Sequence, residues 1–198
     1  VDQGDALGGH RARIARCNQV FDLLAGRRSQ QQDVEFLSFR ELLESIRVPP
    51  GRELEFRAFR DWLARQPRVR AALAHKLFEE FKGVLTGLSV DRPWLTREEY
   101  AALGVKRSIF LEDERDGVYE LFERYLAWLT ESGRYDSNIV AQQYLADATP
   151  RYDFAVVDEV QDLTNVQLAL VLRLLRRPGQ FLLCGDSNQI VHPSFFSW

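Results

Sequence analysis

Methionine is absent from all 198 residues, and the chain opens on Val1. Together these two facts lead us to expect a piece of a longer protein. Cysteine is nearly absent too. Cys17 and Cys184 lie far apart and fit no zinc or disulfide pattern, so a disulfide-stapled fold is excluded. A reducing, intracellular setting is the default for such a chain, and we expect a cytoplasmic, bacterial-type localisation. No apolar run approaches the ~18 residues that cross a bilayer, and no signal peptide opens the chain, so no membrane partner is expected. Lysine is scarce: Lys76, Lys82 and Lys106 are the only ones among 26 basic residues, and the rest are arginine. A GC-rich genome accounts for that bias as readily as a binding surface does. The formal charge of −3 gives no overall basic footprint of the kind a dedicated nucleic-acid module carries.

What is present suits a folded protein. Hydrophobic residues make up 45%, aromatics 12% and charged residues 28%, which excludes disorder and collagen-like structure. The length fits one domain, or one domain with an insertion. Texture divides the chain. Residues 1–33 are polar and rich in glycine, with a helix expected from Arg13 to Leu24. The alternating, aromatic stretch from Val34 to Phe39 predicts a strand or strand end, and Pro49-Pro50-Gly51 breaks the chain. From about 52 to 149 the spacing is helical, clearest in Val118, Leu121, Phe122, Tyr125, Leu126 and Leu129. Thr96 followed by Glu98 and Glu99 predicts a capped helix start. An arginine-rich helix from Arg52 to Arg70 sets Arg57, Arg60, Arg65, Arg68 and Arg70 around Phe56, Phe59 and Trp62. That pattern is either a phosphate- and base-binding surface or a solvated helix face. His75 reads as a surface or core histidine.

The last fifth changes character. Phe154-Ala155-Val156-Val157 predicts a buried parallel strand ending in Asp158-Glu159. A helix is expected from Asn165 to Arg176, then a second buried strand, Phe181 to Cys184, ending in Gly185-Asp186. This is a βαβ unit that delivers carboxylates at the carboxyl ends of its strands, where open α/β sheets build their sites. Asp158 can hold magnesium through the metal's water shell, while the adjacent Glu159 can orient or deprotonate an attacking water. Taken alone, Asp-Glu at a strand end is also a common solvated turn.

The longer motifs carry more. Val157-Asp158-Glu159-Val160-Gln161-Asp162-Leu163 and Gly185-Asp186-Ser187-Asn188-Gln189-Ile190 resemble motifs II and III of superfamily 1 helicases of the UvrD/Rep type. The resemblance implies an α/β fold: part of a RecA-like P-loop NTPase lobe, with parallel strands and helices, carrying a large all-helical insertion. Residues 1–50 would belong to the lobe after its Walker A region, 51–150 to the insertion, and 151–198 to the lobe again with Walker B (motif II) and motif III. It further implies ATP and Mg²⁺ as cofactors, with Asp158 serving the metal, Glu159 activating water and Gln189 sensing the γ-phosphate. Gln161, Asp162 and Asp186 would complete the nucleotide site. Single-stranded DNA or a partial duplex, together with the remainder of the parent chain, would be the partners, in a setting such as DNA repair.

Phe36-Leu37-Ser38-Phe39-Arg40 looks like the family's TFHxL-type segment, with Arg40 where histidine is usual, so Ser38 and Phe39 are candidate DNA contacts. Past motif III the family has tyrosine and then a base-stacking aromatic. Here His192 takes the tyrosine position, and Phe195, Phe196 and Trp198 follow later. That cluster is either a stacking platform for single-stranded bases or a hydrophobic plug between lobes.

A phosphate-cradling GxxxxGK[ST] loop is missing. No Gly-Lys pair occurs, and Lys82-Gly83 is reversed. We therefore expect the chain to start downstream of that loop, to stop before the second motor lobe, and to be inactive alone. Two other classes stay open: a metal-dependent phosphohydrolase or nuclease using Asp158, Glu159 and Asp186, and a non-catalytic DNA- or protein-binding module.

Overall fold

The computed structural model describes residues 33–67 and 69–186. The helix expected from Arg13 to Leu24 lies outside the described residues. The chain separates between Leu42 and Leu43 into two units.

In the first unit, residues 33–38 form no regular structure, and Phe39 opens helix α1 (Phe39–Ile46). The strand expected from Val34 to Phe39 is therefore not formed. Local capping explains the difference. Glu41 Oε2 accepts from Ser38 N at 2.7 Å, and Ser38 Oγ accepts from Glu41 N at 3.3 Å. The reciprocal pair satisfies amide groups that a helix start leaves free, so the tetrapeptide favours a helix end over a strand end.

Within the second unit the expected Pro-Pro-Gly break follows the end of α1. Gly51 has φ +93°, and a Cβ there would fall 2.2 Å from the Gly133 carbonyl oxygen, so only glycine allows this approach. The contact lets β1 (Arg52–Glu53) pair in parallel with β2 (Arg134–Tyr135). Helix α2 (Phe56–Leu63) follows, shorter than the Arg52–Arg70 helix the sequence suggested. At one end Arg52 and Glu53 enter the strand pairing, and beyond the other Pro67 disfavours helical backbone in the residue before it.

Helix α3 (Ala74–Glu79) widens into a π-helical turn over Glu80–Leu85. His75 is exposed and stacks on Phe56, with ring centroids 3.9 Å apart. Helix α4 (Arg97–Ala101) starts at Thr96 as expected: Thr96 Oγ1 accepts from Glu99 N at 3.2 Å, and Glu99 Oε2 accepts from Thr96 N at 2.8 Å. The longest helix, α5 (Glu112–Glu131), buries Val118, Leu121, Phe122, Tyr125 and Leu129. These are five of the six residues its spacing marked, and the sixth, Leu126, is partly buried against the same core. They meet Phe59 and Phe81 in an aromatic core, with Phe81 5.2 Å from Phe122 and 5.1 Å from Tyr125 between centroids.

Polar groups inside this block are paired. The fully buried Glu80 carboxylate accepts from Tyr100 OH (2.7 Å), Ile109 N (2.9 Å) and Ser108 Oγ. Helix α6 (Ser137–Tyr144) is capped by Asp136, whose Oδ1 accepts from Asn138 N at 2.8 Å. Burial, reinforced by Glu80, holds the Tyr100 phenol above its usual range, and burial with Asp136 does the same for Tyr125. The sign follows directly. Both phenols stay neutral in the folded chain while unfolded tyrosines ionise from about pH 10, so their contribution is complete below about pH 10 and is lost above it. Urea midpoints should fall across that window, and substituting phenylalanine at position 125 should flatten part of the fall.

After the helical block comes the expected strand–helix–strand unit. Strands β3 (Ala155–Val157) and β4 (Phe181–Leu183) pair in parallel, Val156 opposite Leu182, with helix α7 (Asn165–Arg173) between them. The helix ends before Arg176 because the Leu174 carbonyl is taken by Arg151 N (2.8 Å) and Tyr152 N (3.1 Å), and Arg176 N donates to Tyr152 O. The strands are also less buried than their apolar run implied. Val157 and Leu183 pack with Val160 and Leu168, whereas Phe154, Val156 and Leu182 are 54%, 63% and 52% exposed. Alternation explains it: one face lies on α7, and the other is uncovered. No helix among the described residues is long and apolar enough to cross a membrane.

Candidate functional site

Beyond Val157 the chain leaves β3 through Asp158 and Glu159, both exposed, and enters a short 3₁₀ turn, Val160–Asp162. Glu159 sits at φ 53°, ψ 45°, the left-handed region, and is the sole non-glycine residue there among those described. A branched-off side chain in that region costs on the order of 1 kcal/mol, and such strain gathers at functional positions. The neighbouring geometry keeps it there. Val160 is fully buried, and its N–H donates to Cys184 O at 2.9 Å, while Cys184 N donates to Val157 O at 2.8 Å. The parallel pairing is thus carried past both strand ends, and the turn at Glu159 is the bend that lets it continue.

Gln161 ties the two loops together. Its Nε2 donates to Glu159 Oε2, and its Oε1 accepts from Asp186 N at 3.2 Å. The side chain is buried, so both ends of the amide are spent on the site. Gly185 leaves it room, since a Cβ there would lie 2.5 Å from Gln161 Oε1 and 2.9 Å from Val160 Cγ1. Gly185→Ala should accordingly push Gln161 out of place and destabilise the chain by about 1–3 kcal/mol, read as a lowered urea midpoint. A midpoint unchanged by the substitution would show that the approach is not constrained.

The carboxylates differ in what is left open. Asp158 Oδ1 accepts from Glu159 N at 3.1 Å, and its side chain reaches solvent. Asp162 is exposed, and its N–H donates to Glu159 O at 2.8 Å. Among the described residues no three metal-ligating side chains converge. A single exposed carboxylate such as Asp158 is the kind of donor that a hard cation keeping most of its waters accepts. Of the residues marked in the sequence, the structure brings together Asp158, Glu159, Gln161, Asp162 and Asp186. Ser38 and Phe39 lie in the first unit, where Ser38 caps α1. Gln189, His192, Phe195, Phe196 and Trp198 lie outside the described residues.

One linkage was not visible in the sequence. Thr164, which precedes α7, donates from Oγ1 to Asn138 Oδ1 at 2.8 Å, and Val166 N donates to Gly87 O at 3.2 Å. Asn138 Nδ2 in turn donates to Lys82 O (2.7 Å) and Thr86 Oγ1 (3.1 Å). The turn carrying Glu159 is therefore anchored, five residues on, to the helical block. The local signal at hand is the cap formed by Asp136 on α6, and a cap names no distant partner.

Comparison with known proteins agrees with the motif region. Residues 106–195 match the UvrD/REP helicase N-terminal domain. Human TPR and ankyrin repeat-containing protein 1 is 31% identical over 127 residues, which covers 61% of this chain. The chain spans about 4% of that protein's length. No solved structure matches.

Proposed function

We propose, on the premise that residues 106–195 form part of a UvrD/REP helicase N-terminal domain, that the chain supplies the water-activating half of an ATP-hydrolysing motor that moves on single-stranded DNA. The βαβ unit would be the edge of a RecA-like lobe, residues 51–150 its helical insertion, and residues 1–50 the lobe's preceding part. The observation that supports this most is the join made by Gln161 between Glu159 at the end of β3 and Asp186 after β4. It joins the first of the two motifs that resemble those of UvrD/Rep helicases to Asp186, in the described opening of the second.

In this mechanism Asp158 would hold Mg²⁺ through the metal's water shell, and the chemistry supplied there would be neutralisation of phosphate charge. Glu159 accepts a proton from the attacking water, with its carboxylate oriented by the Gln161 amide. Gln189 contacts the γ-phosphate, and Asp162 and Asp186 border the nucleotide. Ser38, Phe39 and the aromatics Phe195, Phe196 and Trp198, with His192, contact the DNA.

The test is nucleotide turnover by the complete protein that contains this chain. Magnesium-dependent hydrolysis stimulated by single-stranded DNA supports the proposal, whereas DNA cleavage without nucleotide points to a metal-dependent nuclease. The 198-residue chain has no Gly-Lys phosphate loop, so by itself it should bind ATP only weakly. Stoichiometric ATP binding by calorimetry would refute that.

A further inference from the structure

The helical block carries a cleft of its own, away from the carboxylates of the two strand ends. It occupies about 360 Å³ between α2, the end of α5 and β2. Trp62 and Trp128 form its wall, stacked with centroids 5.2 Å apart and planes at 20°. Trp62 is buried beneath, and Trp128 is partly exposed. Arg57, Arg65 and Arg134 line the same cleft. None of the three makes an ion pair among the described residues. Two acids share the lining, Glu55 and Asp61, and Asp61 already accepts from Arg60 at 3.3 Å. The balance around the cleft is positive in a chain whose formal charge is −3.

We infer that this cleft binds a single-stranded nucleic-acid segment, its phosphates on Arg57, Arg65 and Arg134 and a base against Trp128. The chemistry favours this occupant for two reasons. Guanidinium groups match phosphate oxygens in a planar, bidentate fashion, and these three have no carboxylate partner among the described residues. An aromatic ring in a positive groove accepts the flat face of any base, and this combination is how single strands are held without sequence preference. A polyanion lacking bases would use the arginines alone. The inference stands apart from the motor proposal, because the cleft would bind whether or not the strand-end carboxylates hydrolyse nucleotide.

The probe is a short, fluorescein-labelled oligothymidylate, titrated with the 198-residue chain by anisotropy at several salt concentrations. Binding should weaken with salt at a slope of about −2 in log–log form, since each phosphate contact on a single strand contributes about 0.7. The triple variant Arg57→Gln, Arg65→Gln, Arg134→Gln should lose at least about tenfold in affinity at low salt and most of that slope. All three side chains are polar and lie outside the apolar core, so circular dichroism should be unchanged. Trp128→Ala should weaken binding about tenfold while leaving the salt slope intact, which separates stacking from charge. No binding at low salt overturns the inference. So does binding that the arginine variant leaves unchanged, or heparin competing as well against wild type as against Trp128→Ala.

Discussion

Asp136→Ala should cost the helical block about 3–5 kcal/mol, the range for removing one partner of a buried ion pair. The Asp136 side chain has no exposure to solvent, and four groups from three segments converge on it. Tyr125 OH donates at 2.8 Å, Thr86 Oγ1 at 3.4 Å and Asn138 N at 2.8 Å, and Lys82 Nζ stands 3.5 Å away with its side chain 16% exposed. Alanine would strip the cap from α6, leave the Tyr125 hydroxyl without an acceptor, and leave a largely buried ammonium facing no charge. Asp136→Asn makes a useful contrast. It keeps one acceptor oxygen where two serve now, Oδ1 for Asn138 N and Oδ2 for Tyr125 OH, and removes the charge opposite Lys82, so its cost should stay below that of alanine without vanishing. Urea unfolding followed by tryptophan fluorescence reads both. A loss under about 1 kcal/mol for Asp136→Ala would mean that the network is solvated and carries little of the fold.

The amphipathic spacing of α5 was legible because burial there follows one helix face, and periodicity records faces directly. The cap at Thr96 was legible for a similar reason: its partners lie within three residues. The same local logic failed at Ser38. Alternation from Val34 to Phe39 suggested a strand or strand end, whereas the Ser38–Glu41 pair, a helix-start signal within three residues, is what the fold follows. The βαβ unit was read in its order but not in its exposure, because an apolar run fixes which residues can be covered and not whether a second layer covers them. Phe154, Val156 and Leu182 show the difference. At the candidate site the carboxylates were found from the motifs, and Asp158, Glu159, Gln161, Asp162 and Asp186 do lie together. The anchoring of Thr164 by Asn138 joins residues 26 apart in sequence, through side chains that carry no periodic signal. Arg57 and Arg65 were legible as part of an arginine-rich helix with two readings, a phosphate- and base-binding surface or a solvated face. Arg134 joins them because Gly51 lets β1 lie against β2.

Glu159→Gln should lower ATP turnover by the complete protein about 10²–10⁴-fold while leaving nucleotide binding intact. That is the range for losing a positioned general base, and it corresponds to about 3–5 kcal/mol of transition-state stabilisation. The substitution is nearly isosteric, and glutamine can keep an oxygen as acceptor for Gln161 Nε2, so the turn should persist. Two companions make the result specific. Gln161→Leu removes the donor to Glu159 and the acceptor for Asp186 N. It leaves the carboxylate in place but unguided, so turnover should fall by less than with Glu159→Gln, and more than binding does. Glu159→Gly removes the carboxylate and also relieves the left-handed backbone, for which glycine has no penalty. Its stability should stay level or rise by up to about 1 kcal/mol even as turnover disappears. A residue that the fold would gain from replacing, and that the chemistry cannot spare, is what a general base at this bend requires. Turnover retained in Glu159→Gln would remove the base from the mechanism, and stability lost in Glu159→Gly would show that the bend serves the fold instead.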